Sequence, residues 1–448
     1  MTLGIRARCH FVPPYLMRRL GRLADAEVDD RIRTARARGG DVDVRATAIA
    51  GPSWTVHTAE QTRDLPGRPV RTAGESVSGD DAVDEAATGI SGSLALFEEV
   101  YGRSSYDGQG APVSLTVHYG RDYPNAFWDG TQLVFGDGDG EVFDRFTRSV
   151  DVLAHELTHA VTERTAGLVY QDQPGALNES LSDVFASCLK QRLLGQEAAD
   201  GDWLIGAEIF LPGVQARGLR DLRAPGTAYD DPRLGTDPQP GHLDDCVVGP
   251  DDNGGVHINS GIPNRAFHLA AVGIGGTSWE GAGRVWYDAL VGGDVGPDTD
   301  FAGFAAATVA AAGTHAETVT RAWAEVGVPV DPAGAASGGA APSWPASPPG
   351  GRRTVRVQRS GGFIGRTTEA SVDLDEVEQR SDDELAELPR LVARVQQQGD
   401  LAARRPTHPM PDMFLYDLDL CGSRARLPEH QLTDDLRRIV DLVLRSGR

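Results

Sequence analysis

The sequence predicts an α+β fold of two lobes, and three features of its pattern predict it. Short alternating segments come first, at Val113–Tyr119 and Leu133–Phe135. Helical apolar spacing then takes over from Phe146 onward. A Pro-, Gly- and Ser-containing stretch at 330–351 separates all of this from a second patterned block at 352–448. Strands first and helices later place the two kinds of element in separate regions of one body.

Along the chain, residues 1–50 carry ten Arg against six Asp or Glu, a basic segment suited to docking on an acidic body. In the body, Val113, Leu115, Val117 and Tyr119 alternate with polar neighbours, as in a half-buried strand. Leu133–Phe135 is a second short strand, and Gly136, Asp137, Gly138, Asp139 and Gly140 form a turn cluster after it. Val150, Leu153, Ala154, Leu157 and Val161 recur at helical spacing, a second helix spans Ala176–Leu194, and Ala266–Ala270 and Thr318–Ala324 belong to others. In the last block, Thr354–Arg359 alternates as a strand, Met413–Leu418 is another, and Leu432–Leu444 is an amphipathic helix. The domains so read are 1–50, 51–165, 166–329, a linker at 330–351, and 352–448.

Composition excludes several classes. The 448 residues carry a formal net charge of −22, which repels a phosphate backbone and argues against a nucleic-acid partner. Four cysteines, Cys9, Cys188, Cys246 and Cys421, stand far apart and frame neither a disulfide scaffold nor a zinc knuckle. The small-apolar stretch at Phe301–Gly313 is too short to span a bilayer. Pro13, Pro14 and Arg18 interrupt any signal-peptide pattern, so a cytoplasmic location or a non-classical exit is expected, with no membrane partner and a monomeric state.

The chemistry is concentrated in His155-Glu156-Leu157-Thr158-His159. Spacing of i and i+4 on a helix puts both imidazoles on one face, where they can share one Zn²⁺. Glu156 lies beside them as a general base for a metal-activated water. A catalytic zinc needs a third protein ligand and one open position. Glu179, twenty residues on, can be that ligand, and Asp183, again at i+4, can accept the distal N–H of a ligand histidine, His155 above all.

These residues resemble the thermolysin-like metallopeptidases. His155 to Thr162, Tyr170-Gln171, Gly175 to Ser180 and Ser182-Asp183 are similar to the family's zinc segment in type and spacing. Val117-His118-Tyr119-Gly120 with Asn125-Ala126-Phe127-Trp128 resembles its substrate-binding edge strand, and Asp252 to His257 with Asn259 to Ile262 the segment of its transition-state histidine. The resemblance covers residues 54–328. It implies a two-lobed zinc endopeptidase that cuts on the amine side of a large apolar residue, with one catalytic Zn²⁺ on His155, His159 and Glu179. It also implies that Tyr170 and a protonated His257 stabilise the oxyanion, that Asp252 orients His257, and that Asn125, the Ala126 backbone and Arg220 hold the substrate peptide. The resemblance implies as well that Val152 and Leu219 line the apolar pocket. One departure stands out. Lys190 and Leu204 occupy positions where family members with a double calcium site carry carboxylates. The resemblance therefore does not extend to a double Ca²⁺ site, while a weaker single one stays open.

Both ends resemble known regulators. Cys9-His10-Phe11-Val12-Pro13-Pro14-Tyr15-Leu16 resembles the start of the short pro-segment in the protealysin subgroup, and its two prolines predict an extended form able to lie in the cleft. That implies a latent precursor released by a cut near Arg45–Gly51. Thr354 to Arg359 with Ser360-Gly361-Gly362-Phe363-Ile364-Gly365 resembles emfourin, an inhibitor of such enzymes, and implies a tethered inhibitor or regulator, a partner carried on the same chain that can act in cis or in trans. The reading is a self-regulated zinc endopeptidase of protein substrates. The reading from another class is a catalytically silent binding scaffold, which has no use for Glu156 and His257.

Overall fold

The computed structural model describes residues 10–22, 53–249 and 251–330, and in the last block 354–361, 368–374, 377, 385, 387–397, 414–420, 423–428 and 432–446. The expectations for Cys9, Arg45–Gly51, the linker beyond Val330, and Gly362–Gly365 lie outside the described residues. The chain divides into two compact units between residues 339 and 340.

The first unit opens with helix α1 (Pro14–Arg19). The sequence predicts an extended segment here, and the helix is a departure from that. Pro14 sits in the first helical turn, where its missing N–H breaks no bond, and its fixed φ suits a helix start. The extended run therefore ends at Pro13.

Five strands follow: β1 (Trp54–Thr58), β2 (Arg68–Thr72), β3 (Val113–Val117), β4 (Ala126–Trp128) and β5 (Leu133–Phe135). They form one sheet in the order β2-β1-β3-β5-β4, with β3 parallel to both neighbours and β4 antiparallel to β5 at one edge. β3 is buried more completely than its alternation suggests. Thr116 is fully buried, and its hydroxyl lies within hydrogen-bond distance of the Pro66 carbonyl (2.9 Å) and Gln132 Oε1 (2.8 Å), so a polar residue tolerates the interior.

Helix α2 (Asp81–Ala95) is capped by Asp80, whose carboxylate accepts from the amides of Ala82 and Val83. It packs on helix α3 (Val150–Glu163), and the approach is so close that a Cβ on Gly89 would lie 2.9 Å from Leu153. Every residue of α3 from Asp151 to Thr162 is buried. Helix α4 (Asp172–Leu194) lies against it and is buried from Gly175 to Gln191. It starts four residues earlier than the apolar spacing predicts, because Pro174 falls in its first turn, where proline is tolerated.

Beyond α4 come the short pair β6 (Leu204–Ile205) and β7 (Arg220–Asp221), the pair β8 (Asp230–Asp231) and β9 (Gly235–Thr236), and helices α5 (Asp252–Asn259), α6 (Gly261–Ile274), α7 (Ala282–Val291), α8 (Phe301–Ala311) and α9 (Ala316–Glu325). Trp286 of α7 and Trp323 of α9 stack 5.9 Å apart, both fully buried, and centre the helical core. The α+β division into a sheet-bearing region and a helical one is as predicted. None of the described helices is long and apolar enough to cross a membrane.

The second unit is a four-stranded antiparallel sheet in the order β11-β10-β12-β13, built from β10 (Thr354–Gly361), β11 (Thr368–Asp373), β12 (Phe414–Leu420) and β13 (Ser423–Pro428). Helices α10 (Leu388–Gln397) and α11 (Asp434–Ser446) complete it. Val355, Val357, Leu418 and Leu420 meet Leu391, Ile439 and Val443 in a core of its own.

Lys190 ties three elements of the first unit together. Its ammonium lies 3.3 Å from Asp151 Oδ2 on α3 and 3.2 Å from Asp202 Oδ2, and it donates to the Leu204 carbonyl on β6. The Asp151 side chain is only 1% exposed, so without Lys190 it would be a buried charge with no counter-ion. Lys190→Met is therefore expected to cost about 3–5 kcal/mol of stability, read as a fall in Tm by thermal denaturation. An unchanged Tm would show that Asp151 does not depend on the ammonium.

Candidate functional site

Helices α3 and α4 bring the two parts of the sequence motif face to face. His155 and His159, one turn apart on α3, are buried beside Glu179 of α4. The ligand atoms of this trio lie within 4.8 Å of one another. His155 Nδ1 donates to Asp183 Oδ1 (2.9 Å). His159 Nδ1 donates to Asn178 Oδ1 (2.8 Å) and lies 3.1 Å from Ser182 Oγ. The Asn178 amide is oriented by its own donation to the Leu168 carbonyl, which leaves its oxygen to face His159.

Both outer nitrogens are thus committed as donors, so both Nε2 atoms carry lone pairs, and those atoms stand 3.0 Å apart. Two lone pairs at that distance repel unless a proton or a metal ion lies between them. Glu179 adds oxygens 3.5 Å from His155 Nε2 and 3.7 Å from His159 Nε2. In a tetrahedron with bonds of about 2.0–2.1 Å, ligand atoms sit roughly 3.3 Å apart. Two imidazoles and one carboxylate at this spacing fit Zn²⁺.

Asp183 is saturated. Besides His155 it accepts from Arg220 Nε and Nη2 (2.8 Å each) and from Asn264 Nδ2 (2.9 Å). Burial opposes its ionisation, but the Arg220 guanidinium and His155 outweigh that and hold the carboxyl below its ordinary range. Glu156 points the other way electrostatically. It is fully buried, neither carboxylate oxygen has a hydrogen-bond partner at normal geometry, and burial pushes the group up to about 8. A carboxylate in that position takes up a proton readily near neutral pH.

His257 is held from both sides. Nδ1 donates to Asp252 Oδ1 (2.6 Å), and Asp252 Oδ2 accepts from the His257 amide (2.9 Å). Tyr170 donates its hydroxyl proton to Glu179, so its oxygen accepts from His257 Nε2 (3.0 Å). Two donating nitrogens describe an imidazolium. Burial works against that charge, but Asp252 and then Glu179 outweigh it and raise the imidazole above its usual range. The turn that carries this pair is left-handed at four successive residues, Asp252 (φ 53°), Asn253 (φ 51°), Gly254 (φ 83°) and Gly255 (φ 77°).

The N-terminal segment lies across these groups along edge strand β4. The Phe11 amide donates to the Ala126 carbonyl (3.0 Å). The Val12 amide donates to Asn125 Oδ1 (2.8 Å), and Asn125 Nδ2 donates to the Val12 carbonyl (3.2 Å). Arg220 Nη1 donates to the Phe11 carbonyl (3.1 Å), and its guanidinium stands 4.7 Å over the Phe11 ring. That ring is fully buried, edge-on to His155 at 5.1 Å and to Phe146 at 6.3 Å. Gly206 borders the ring, since a Cβ there would come within 3.1 Å of Phe11 and 3.3 Å of Leu219. The His10 carbonyl accepts from His257 Nε2 (2.9 Å). Further along, the Tyr15 and Tyr229 hydroxyls pair (3.3 Å), Arg19 donates to the Arg233 carbonyl (3.2 Å) and Arg22 lies 3.7 Å from Asp139.

His155, His159, Glu179, Asp183, Glu156, Tyr170, His257, Asp252, Asn125, Ala126, Arg220 and Leu219 are thus gathered in one region of the first unit. Val152 is fully buried on the same helix as the histidines, three residues before His155. Sequence reasoning gave no role to Asn178, Ser182, Asn264 or Gly254. Asn178 and Ser182 flank Glu179 and Asp183 in the quoted motif, but a hydrogen bond to a ring nitrogen leaves no spacing signal of its own.

Comparison with known proteins agrees with this geometry. Residues 46–163 match the thermolysin metallopeptidase catalytic domain, residues 166–328 the thermolysin metallopeptidase alpha-helical domain, and residues 357–444 emfourin. An extracellular metalloprotease of Pectobacterium carotovorum subsp. carotovorum is 53% identical over 281 residues, which cover 62% of this chain and 81% of that protein. Protease PrtS of Photorhabdus sp. (strain Az29) is 47% identical over 283 residues, covering 62% and 76%. The solved precursor of protealysin, a metalloproteinase from Serratia proteamaculans, superposes with a TM-score of 0.65 at 46% identity, covering 71% of this chain and 99% of that one.

The left-handed turn makes a sharp demand. A Cβ on Gly254 would lie 2.0 Å from Asp172 Oδ1, at a φ that alanine adopts only with strain. Gly254→Ala is expected to destabilise the chain by about 2–4 kcal/mol while keeping its zinc. It should also loosen Asp252 from His257, so that the imidazole titrates closer to its ordinary range by NMR. An unmoved His257 titration would count against the turn as its support.

Proposed function

The chain belongs to the thermolysin metallopeptidase family and is a peptide hydrolase, and from that premise we propose that it is a zinc endopeptidase made latent by its own N-terminal segment. The observation that carries the reading is the pair of imidazole nitrogens 3.0 Å apart, each with its other nitrogen committed as a donor. His155, His159 and Glu179 would hold the ion. Zinc bound there supplies a Lewis acid that acidifies water and polarises a carbonyl.

The remaining work falls to the chain. Glu156 takes the water proton at its carboxylate and passes it to the departing amide nitrogen. His257 Nε2 and the Tyr170 hydroxyl face the oxygen on which negative charge develops, and Asp252 keeps His257 charged. Asn125, the Ala126 carbonyl and Arg220 hold the peptide backbone as an added strand. The seat of Phe11 supports a preference for a large apolar residue on the amine side of the cut, with Leu219 and Val152 as lining. The same seat supports latency, because residues 10–12 cover the groups that a substrate needs. Lys190, with Asp151, Asp202 and the Leu204 carbonyl as partners, stands in for the cation of a double calcium site, and no such site is proposed. The name of the Pectobacterium relative supports work outside the cell.

The emfourin match at residues 357–444 supports a tethered inhibitor as the second control. A linker of some twenty residues can give an effective concentration on the order of millimolar.

Two outcomes test these readings. Glu156→Gln should retain stoichiometric zinc by elemental analysis yet lose about 10²–10⁴-fold in casein hydrolysis. A variant as active as the parent would end the mechanism. Removing residues 352–448 from the matured enzyme should raise casein hydrolysis, and adding that block back in trans should lower it. Equal rates with and without the block would leave it no inhibitory role.

A further inference from the structure

The N-terminal segment is seated in the register of a substrate, with one particular bond at the catalytic groups. The His10 carbonyl, and no other described carbonyl of residues 10–22, accepts from His257 Nε2, and Tyr170 lies against that same nitrogen. The next amide, that of Phe11, donates to the Ala126 carbonyl, and the Phe11 ring fills the buried pocket beside His155. The Phe11 carbonyl goes to Arg220, and both backbone groups of Val12 go to Asn125. A strand that merely blocked the cleft needs burial, not this pairing of each backbone group with the partner proposed for a substrate. Only Phe11 and Val12 are held in this way before Pro13 turns the chain into α1.

We propose that the chain cuts itself at the His10–Phe11 bond. This rests on the proposed zinc-endopeptidase reading and deepens it by naming the first substrate of the site. In the step, the oxygen of water bonds to the His10 carbonyl carbon and the bond from that carbon to the Phe11 nitrogen breaks. Glu156 carries one water proton to the Phe11 nitrogen. The second water proton leaves the new His10 carboxyl for the freed amine, so the products are a carboxylate at His10 and an ammonium terminus at Phe11, and no co-reactant beyond water is required.

The contacts that survive the cut are those from Phe11 onward, to Ala126, Asn125, Arg220, Tyr229, Arg233 and Asp139. The segment beyond the bond therefore stays in place as a bound product. Shedding residues 1–10 and opening the cleft are two separate events.

The full-length chain tests this directly. Zinc-loaded wild type is followed by intact-mass and N-terminal analysis beside two controls, chelated wild type and Glu156→Gln. A fragment of residues 1–10 and a new terminus at Phe11 are expected in wild type only, with a first-order rate unchanged within about twofold on tenfold dilution, as for a cut within one chain. Amide hydrogen exchange on zinc-free Glu156→Gln reads the register without turnover. Phe11 and Val12 are expected to be protected, and the Val12 protection to be lost when Asn125→Ala is added. An intact His10–Phe11 bond in wild type that hydrolyses casein once matured overturns the proposal and leaves the peptidase reading standing. Unprotected Phe11 and Val12 amides overturn it at the register. Wild type that hydrolyses neither casein nor its own bond overturns both.

Discussion

The buried carboxylate of Asp183 is the interaction on which the site depends. It accepts at once from an imidazole on α3, a guanidinium on β7 and an amide on α6. Three elements from separate parts of the chain are thereby referred to one pair of oxygen atoms. Such a group is costly to bury and tolerable only when every lone pair is used. Once it is satisfied, it sets the tautomer of His155, the height of Arg220 above the Phe11 ring and the docking of α6. Asn178 does the same for His159 through a neutral amide, so the two imidazoles are steered from the same helix, α4, by different chemistry.

Much of this was legible in the residues. His155, Glu156 and His159 share a helix face because 3.6 residues make a turn, and that geometry is written in the spacing. Glu179 and Asp183 carry the same signal one helix later. The packing of α4 against α3, which makes the five residues one site, is a tertiary fact that periodicity does not encode. It came instead from the resemblance, as did the roles of Tyr170, His257, Asp252, Asn125 and Arg220. The role of Ser182 was not legible although the residue stood in the quoted motif, and Asn264 gave no signal at all. Each is an ordinary polar residue until its partner arrives from elsewhere in the chain.

The departures have local causes. The segment after Pro13 is helical because proline opposes the interior of a helix and not its first turn. Helix α4 reaches back to Asp172 for the same reason. Thr116 is as buried as its valine neighbours because Gln132 and a carbonyl satisfy its hydroxyl. In each case a propensity averaged over positions gave way to the requirement of one position.

The ammonium of Lys190 makes this part of the scaffold indifferent to chelators. A counter-charge supplied by a side chain has no dissociation constant, so it cannot be extracted by dilution or by a sequestering agent. The tie among α3, α4 and β6 therefore persists whatever the ionic content of the surroundings.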